Sequence, residues 1–202
     1  MKVFAVPASP PCSIVYATVY QLGLEDQVTF QHIDFKAGDH KTEEFLALNP
    51  LGQIPTLKDG HFGLGEATAI QSYILAKTKY EGSFVPHDLH ERAKMMQICS
   101  FEMTTLRNSA VALYFSEIIG PLLYGKPKAD EAHLATLIEN LEKDLTKMVA
   151  FIKHNGGDYL TGHHFTLGDS NCFAYVSLAV HNGLYKLDKF PELEKWYGLC
   201  SD

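Results

Sequence analysis

Residues 49–70 read NPLGQIPTLKDGHFGLGEATAI, and the rest of the chain is organised around them. Two short apolar runs, 54–57 and 62–64, flank the turn Lys58-Asp59-Gly60-His61. Asp-Gly between apolar runs is a hairpin signal, because these residues accept the backbone twist that a tight turn imposes. Proline has no amide hydrogen and belongs at a strand start or edge. A strand beginning at Pro55 leaves the amide and carbonyl of Ile54 free for another partner. After the hairpin, Gly65-Glu66-Ala67-Thr68 leads into the apolar-periodic Ala69, Ile70, Tyr73 and Ile74, as a helix start does. Helix starts carry unpaired amides and a partial positive charge, and so attract anions. One segment therefore offers a free backbone edge beside an anion-binding helix end. That combination fits a small ligand with a peptide-like backbone and a carboxylate.

The 202 residues are enough for one large domain or two small ones with a sizeable core. The composition, 46% hydrophobic and 20% charged, is that of a soluble globular protein. The formal net charge of −7 argues against nucleic acid as the main partner, since phosphate binding needs a basic surface. An anionic small ligand needs only a local positive site. Cys12, Cys99, Cys172 and Cys200 have neither a disulfide framework nor a zinc spacing, which fits reduced thiols. His163-His164 has no third ligand nearby, so no metal site is expected. The opening MKVFAVPASPPC lacks the apolar core of a signal peptide, and no apolar run is long enough to cross a bilayer. The expected location is the cytoplasm, with no membrane partner.

Residues 2–6 predict a buried first strand, broken by Pro7, Pro10 and Pro11. Helical spacing follows from Ile14 to Leu22, and Gly23 stops it. Residues 28–35 predict a second strand, with Val28, Phe30 and His32 alternating with Thr29, Gln31 and Ile33. Two strands joined by a helix form a parallel βαβ unit. The hairpin then adds two strands, and 68–77 adds a helix. This order is the thioredoxin-like arrangement, expected over residues 1–79. Residues 80–86, rich in Gly, Ser and Pro, predict a linker. From 84 to 202 strand signals vanish and an all-helical domain is expected. Residues 90–119 predict one long helix with a broad apolar face, ended by Gly120-Pro121. Leu134, Leu137, Ile138, Leu141, Leu145, Met148, Val149 and Ile152 form a clean amphipathic stripe. Thr166 and Asp169 have the spacing of a capping box, ahead of a helix apolar on nearly every side.

NPLGQIPTLKDG followed by GEATAI resembles the glutathione-binding segment of cytosolic glutathione transferases, and GDHKTEEFLALNPLGQIP resembles the phi class in particular. LTGHHFTLGD is similar to the same family's helix-capping segment. The resemblance implies a two-domain enzyme that conjugates the glutathione thiolate to electrophilic, hydrophobic small molecules. It implies a homodimer, and glutathione as a co-substrate with no further cofactor. It also implies a cis Ile54–Pro55 bond.

A thiol with an ordinary pKa of about 8.5 must ionise near neutrality for this chemistry. A hydroxyl donor at the sulfur favours the anion. Ser9-Pro10-Pro11-Cys12 falls where serine-type classes (phi, delta, theta) carry the activating serine, so Ser9 is the expected catalytic donor; read alone, it is a serine that caps a helix. By the same resemblance His40 and Lys41 meet the glycine carboxylate. Gln53 and the Ile54 main chain pair with the tripeptide backbone. Glu66 holds the γ-glutamyl ammonium, and the amide of Ala67 meets the γ-glutamyl carboxylate. The family usually has serine at position 67, so Ala67 removes a hydroxyl donor, and weaker glutathione binding is expected. Ser13 stands where an arginine is frequent, and the Ser9 segment looks delta-like while 39–57 looks phi-like. Two alternatives stay open. One is a non-catalytic binding or scaffold module; the other is a Cys12-dependent glutathione peroxidase or thiol transferase. For the second substrate, Leu106 and Tyr114 on the 90–119 helix are expected to line the pocket.

Overall fold

The computed structural model describes residues 1–7, 9–80, 82 and 84–201. Glu81 and Ser83, within the expected linker, lie outside the described residues. The chain divides into two compact units, Met1–Glu81 and Gly82–Asp202.

The first unit is built on a four-stranded sheet in the order β2-β1-β3-β4. Its strands are β1 (Lys2–Phe4), β2 (Thr29–Gln31), β3 (Thr56–Asp59) and β4 (Phe62–Leu64). β1 runs parallel to β2 and antiparallel to β3, with Val3 opposite Phe30 and Leu57. The β3–β4 hairpin pairs Asp59 with Phe62, so Gly60-His61 forms its two-residue turn. Helix α1 (Pro10–Gln21) connects β1 to β2, α2 (Glu43–Leu48) precedes β3, and α3 (Ala67–Thr78) follows β4. Val3, Cys12, Val15, Val19, Leu57, Ile70 and Ile74 form one buried apolar cluster. Inside this layer Gln71 of α3 donates to Thr18 Oγ1 of α1 at 2.8 Å, which fixes the two helices against each other. The thioredoxin-like order of elements holds.

Three strands depart from the predicted bounds, and β1 ends at Phe4, two residues short of Val6. The alternation of 28–35 runs through buried Val28 and half-buried Phe30, then breaks at exposed His32. Ile33 turns inward to pack with Phe4 and Phe45. Asp34 accepts from the amides of Lys36 (2.8 Å) and Ala37 (3.2 Å), which bends the chain off the sheet edge. β3 begins at Thr56 rather than Pro55.

The second unit is helical. It comprises α4 (Leu89–Phe101), α5 (Arg107–Tyr114), α6 (Gly120–Tyr124), α7 (Glu131–Asn155), α8 (Leu167–His181) and α9 (Pro191–Ser201). The long helix expected over 90–119 is interrupted by π-helical turns at Glu102–Leu106 and Phe115–Ile119. A π turn adds a residue and rotates the face that follows, which is why the apolar face looked unusually broad when laid on a straight helix. Gly120-Pro121 does not end the helix; it opens α6, where the missing proline amide follows the second wide turn, and Gly125 ends it in a left-handed conformation. The stripe on α7 buries Leu137, Leu141, Leu145, Met148 and Ile152. The capping box forms at Thr166–Asp169. Asp169, fully buried, accepts from Leu160 N (2.8 Å), Thr166 N (3.0 Å), Thr166 Oγ1 (2.9 Å) and Trp196 Nε1 (3.0 Å). Four donors on one carboxylate tie the start of α8 to α9 and to the preceding turn.

Candidate functional site

The conformation of residues 49–56 is set by one buried side chain. Asn49 donates from Nδ2 to the Gln53 carbonyl (3.0 Å) and to Thr56 Oγ1 (2.9 Å), and accepts at Oδ1 from Leu51 N (3.1 Å). Thr56 Oγ1 in turn donates to the Gln53 carbonyl at 2.6 Å. The loop is thereby knotted on itself, and the Ile54–Pro55 peptide bond is cis. Because the β1–β3 ladder stops at the Phe4–Thr56 pair, Ile54 stands outside it. Among the described residues, neither its amide nor its carbonyl has a hydrogen-bond partner. The Ile54 side chain packs against both apolar clusters of the unit.

Gly65 lies against the same asparagine: a Cβ there would come within 2.8 Å of Asn49 Nδ2. The next residue, Glu66, is the N-cap of α3 and adopts φ 65°, ψ 117°. A side-chain-bearing residue held there costs about 1–3 kcal/mol, and such residues cluster at functional sites. The Glu66 carbonyl accepts from Ile70 N at 2.9 Å, while its side chain is exposed. Ala67 follows as the first residue of α3, and its amide has no partner among the described residues.

Ser9 lies beyond the carboxyl end of β1 as the N-cap residue of α1. Its amide donates to the Val6 carbonyl at 3.0 Å, but its hydroxyl does not cap the helix. Pro10 and Pro11 occupy the first two helical positions, so Cys12 carries the only amide hydrogen of the first three. A helix end so poor in donors leaves a side-chain hydroxyl as the principal donor at this point. Cys12 itself is fully buried in the apolar cluster. Burial pushes its thiol up, against the smaller opposing pulls of Val6 and Ser9. It packs as a small hydrophobe, not as a reactive thiolate.

His40 and Lys41 sit on a short 3₁₀ turn, Asp39–Lys41. The His40 ring lies 4.8 Å from that of Phe35, and its Nδ1 is buried without a hydrogen-bond partner among the described residues. The His40 carbonyl faces Gly52, where a Cβ would approach to 3.0 Å, so this turn rests against the 49–53 loop. Lys41 is exposed and, among the described residues, has no ion-pair partner. The Gln53 side chain is exposed on the same loop. The first unit thus holds a free main-chain edge at Ile54, a strained helix start at Glu66–Ala67, and a hydroxyl at Ser9. The Asp39–Lys41 turn, with its exposed Lys41, rests against the 49–53 loop. Among the described residues, no group of three potential metal ligands gathers anywhere in the chain.

Residues 1–76 match the family model for the glutathione S-transferase N-terminal domain, and 115–200 match that for its C-terminal domain. Human glutathione S-transferase theta-1 is 30% identical over 188 residues, covering 93% of this chain and 77% of that protein. Glutathione S-transferase 3 of Zea mays is 35% identical over 171 residues, covering 85% of this chain and 74% of that protein. The chain belongs to the glutathione S-transferase family. The structure of human glutathione S-transferase T1-1 in its apo form superposes with a TM-score of 0.87 at 27% identity, covering 98% of this chain and 81% of that one. Glutathione transferase F7 of Populus trichocarpa gives 0.86 at 26% identity, covering all of this chain and 93% of that one.

As a glutathione S-transferase the protein is an enzyme of glutathione conjugation, and the expectation drawn from residues 49–70 holds at the level of family, fold and activity. Two corrections follow from the geometry. Leu106, expected to line a second-substrate pocket, is completely buried in the helical unit. Ser9, read alone as a helix cap, stands at the N-cap position of α1, but its side chain makes no capping hydrogen bond. Sequence reasoning missed Asn49 as the organiser of the glutathione S-transferase loop. The available signal was a polar residue placed between the apolar end of α2 and a proline.

Proposed function

We propose that this transferase binds glutathione along the Ile54 edge and activates its thiol through Ser9. The observation that carries the reading is the unpaired main chain of Ile54 next to the strained start of α3. An extended tripeptide gains two main-chain hydrogen bonds there without displacing any within the protein. Its γ-glutamyl carboxylate lies on the Ala67 amide at the helix start, with Glu66 taking the ammonium. Gln53 pairs with the tripeptide backbone, and His40 and Lys41 face the glycine carboxylate.

Ser9 donates its hydroxyl to the sulfur and lowers the thiol pKa; the thiol proton leaves to solvent. The thiolate then attacks an electrophilic carbon of an apolar second substrate, forming the C–S bond as the leaving group departs or the electrons move into a conjugated acceptor. Ser9 is a donor throughout, never the nucleophile. Since Ala67 brings no hydroxyl, the amide alone serves the carboxylate, and glutathione binds more weakly than it would with a side-chain donor present. A homodimer acting in the cytoplasm is part of this proposal. It agrees with free cysteines, and, among the described residues, no helix is long and apolar enough to cross a membrane.

Conjugation of glutathione to a generic aromatic electrophile tests the reading in the wild type, Ser9→Ala and Cys12→Ala. A hydrogen bond to a charged group is worth about 1.5–3 kcal/mol. Ser9→Ala should therefore lose about 10- to 100-fold in turnover, with the kinetic pKa of bound glutathione rising toward that of the free thiol. Cys12→Ala should retain activity. Loss confined to Cys12→Ala would assign the chemistry to a redox thiol, and glutathione binding without turnover in the wild type would assign a binding module.

A further inference from the structure

The two helices that begin at the proposed glutathione contacts meet through one buried polar pair. Thr18 of α1 and Gln71 of α3 are both completely buried. Apart from this pair, α1 and α3 bury only aliphatic side chains and Cys12 among the described residues. Gln71 Nε2 donates to Thr18 Oγ1 at 2.8 Å and, at the longer distance of 3.4 Å, to the Ile14 carbonyl. Thr18 Oγ1 donates its own proton to the same carbonyl at 3.0 Å. The hydroxyl thus accepts from α3 and donates within α1, and its orientation is fixed on both sides.

Such a pair adds little to stability, because its hydrogen bonds replace ones made to water in the unfolded chain. What it adds is a register. An apolar layer holds helices together without fixing one arrangement, whereas a buried amide and hydroxyl are satisfied in only one. The register matters at the helix starts. Ile14 lies about one and a half turns beyond Ser9, and Gln71 about one and a half turns beyond Glu66. Both of these cap residues are bonded into their helices: Ser13 N donates to the Ser9 carbonyl and Ile70 N to the Glu66 carbonyl, each at 2.9 Å. A shift of one helix along the other would carry Ser9 away from its place relative to Glu66 and Ala67.

We propose that Thr18 and Gln71 are positioning residues for the transferase reaction. Their buried hydrogen bond sets the separation between the Ser9 hydroxyl and the Glu66–Ala67 helix start, so that one tripeptide can lay its γ-glutamyl group on α3 while its sulfur reaches Ser9. Both side chains are sealed from solvent and act only through the helices that carry the binding groups. This role rests on the glutathione contacts proposed above for Ser9 and Glu66.

Conjugation kinetics with a generic aromatic electrophile, read beside thermal melts, test it. Thr18→Val removes an acceptor of the buried Gln71 amide and should lower the melting temperature. The Thr18→Val/Gln71→Met double variant removes the amide as well, replaces both groups by apolar ones of like shape, and should melt close to the wild type. Its kinetics should not recover. Small misplacements of reacting groups are costly, so the double variant should lose about tenfold in kcat/KM for glutathione, with the kinetic pKa of bound glutathione raised. Thr18→Ser, which keeps the hydroxyl, should keep the wild-type thiol pKa. In a Ser9→Ala background the double variant should raise that pKa no further, since the register acts through Ser9. Wild-type kcat/KM and thiol pKa in the double variant, beside a Ser9→Ala protein that has lost activity, would overturn the positioning role alone, as would a Thr18→Ser protein as impaired as Thr18→Val. Wild-type kinetics in Ser9→Ala would overturn both this role and the assignment of Ser9.

Discussion

The side-chain amide of Asn49 donates across 3.0 Å to the main-chain carbonyl of Gln53, and this contact fixes the loop that exposes Ile54. The same amide reaches Thr56 Oγ1 at the first residue of β3 and touches the position where Gly65 lacks a side chain. One buried group therefore holds both halves of the proposed glutathione site, the free edge and the start of α3.

Asn49→Ala should cost about 2–3 kcal/mol, since it leaves buried polar groups with too few partners. It should raise KM for glutathione while barely changing the kinetic pKa of the bound thiol. Asn49→Asp should be no better, because it sets a carboxylate against the oxygens of Gln53 and Thr56. Urea denaturation and glutathione kinetics read both effects; an Asn49→Ala protein with unchanged stability and KM would remove Asn49 from this role.

Glu66 presents the opposite case, a residue whose conformation opposes stability. Releasing its positive φ by Glu66→Gly recovers part of the roughly 1–3 kcal/mol of strain, against about 0.5–1 kcal/mol of extra chain entropy in the unfolded state. A net gain of about 1 kcal/mol should raise the melting temperature by about 2–4 °C. The same change removes the carboxylate proposed to hold the γ-glutamyl ammonium, so glutathione affinity should fall about tenfold. Glu66→Gln should keep the wild-type melting temperature. A lower melting temperature in Glu66→Gly would show that this φ stores no strain.

Glu102 lies 1% exposed at the first π turn, and among the described residues neither of its carboxylate oxygens has a hydrogen-bond partner. Burial pushes its pKa from 4.5 to about 7, with a weaker opposing pull from Arg107. Between those values the folded state keeps a proton that the unfolded state has lost. This group's contribution to stability is therefore full at the acid end and declines as pH rises through about 7, by about 3 kcal/mol in all. Glu102→Gln should remove that decline. The difference between wild type and variant, measured from pH 5 to 8 with the fluorescence of the single, buried Trp196, isolates it from other carboxylates. A difference that does not change with pH would mean that Glu102 is ionised in the folded protein.

The two-residue hairpin turn after Asp59, the stripe on α7 and the Thr166–Asp169 box were legible because each depends on residues within a few positions of one another. Turn geometry, helical period and caps are local interactions, and the chain alone fixes them. Family membership was equally legible from residues 49–70. The break in β2 after Gln31 and the two π turns were not, because each is set by what the segment packs against.

The residues themselves determined a thioredoxin-like unit followed by a helical one, and the glutathione chemistry that goes with them. Only the tertiary structure decided that Asn49 organises the loop, that the Ser9 side chain does not cap its helix, and that Leu106 is core. Those outcomes depend on contacts between groups distant along the chain or on which face a side chain turns inward. Neither is encoded in the spacing of neighbouring residues, and both are settled only when the elements close on one another and each buried polar group must find a partner.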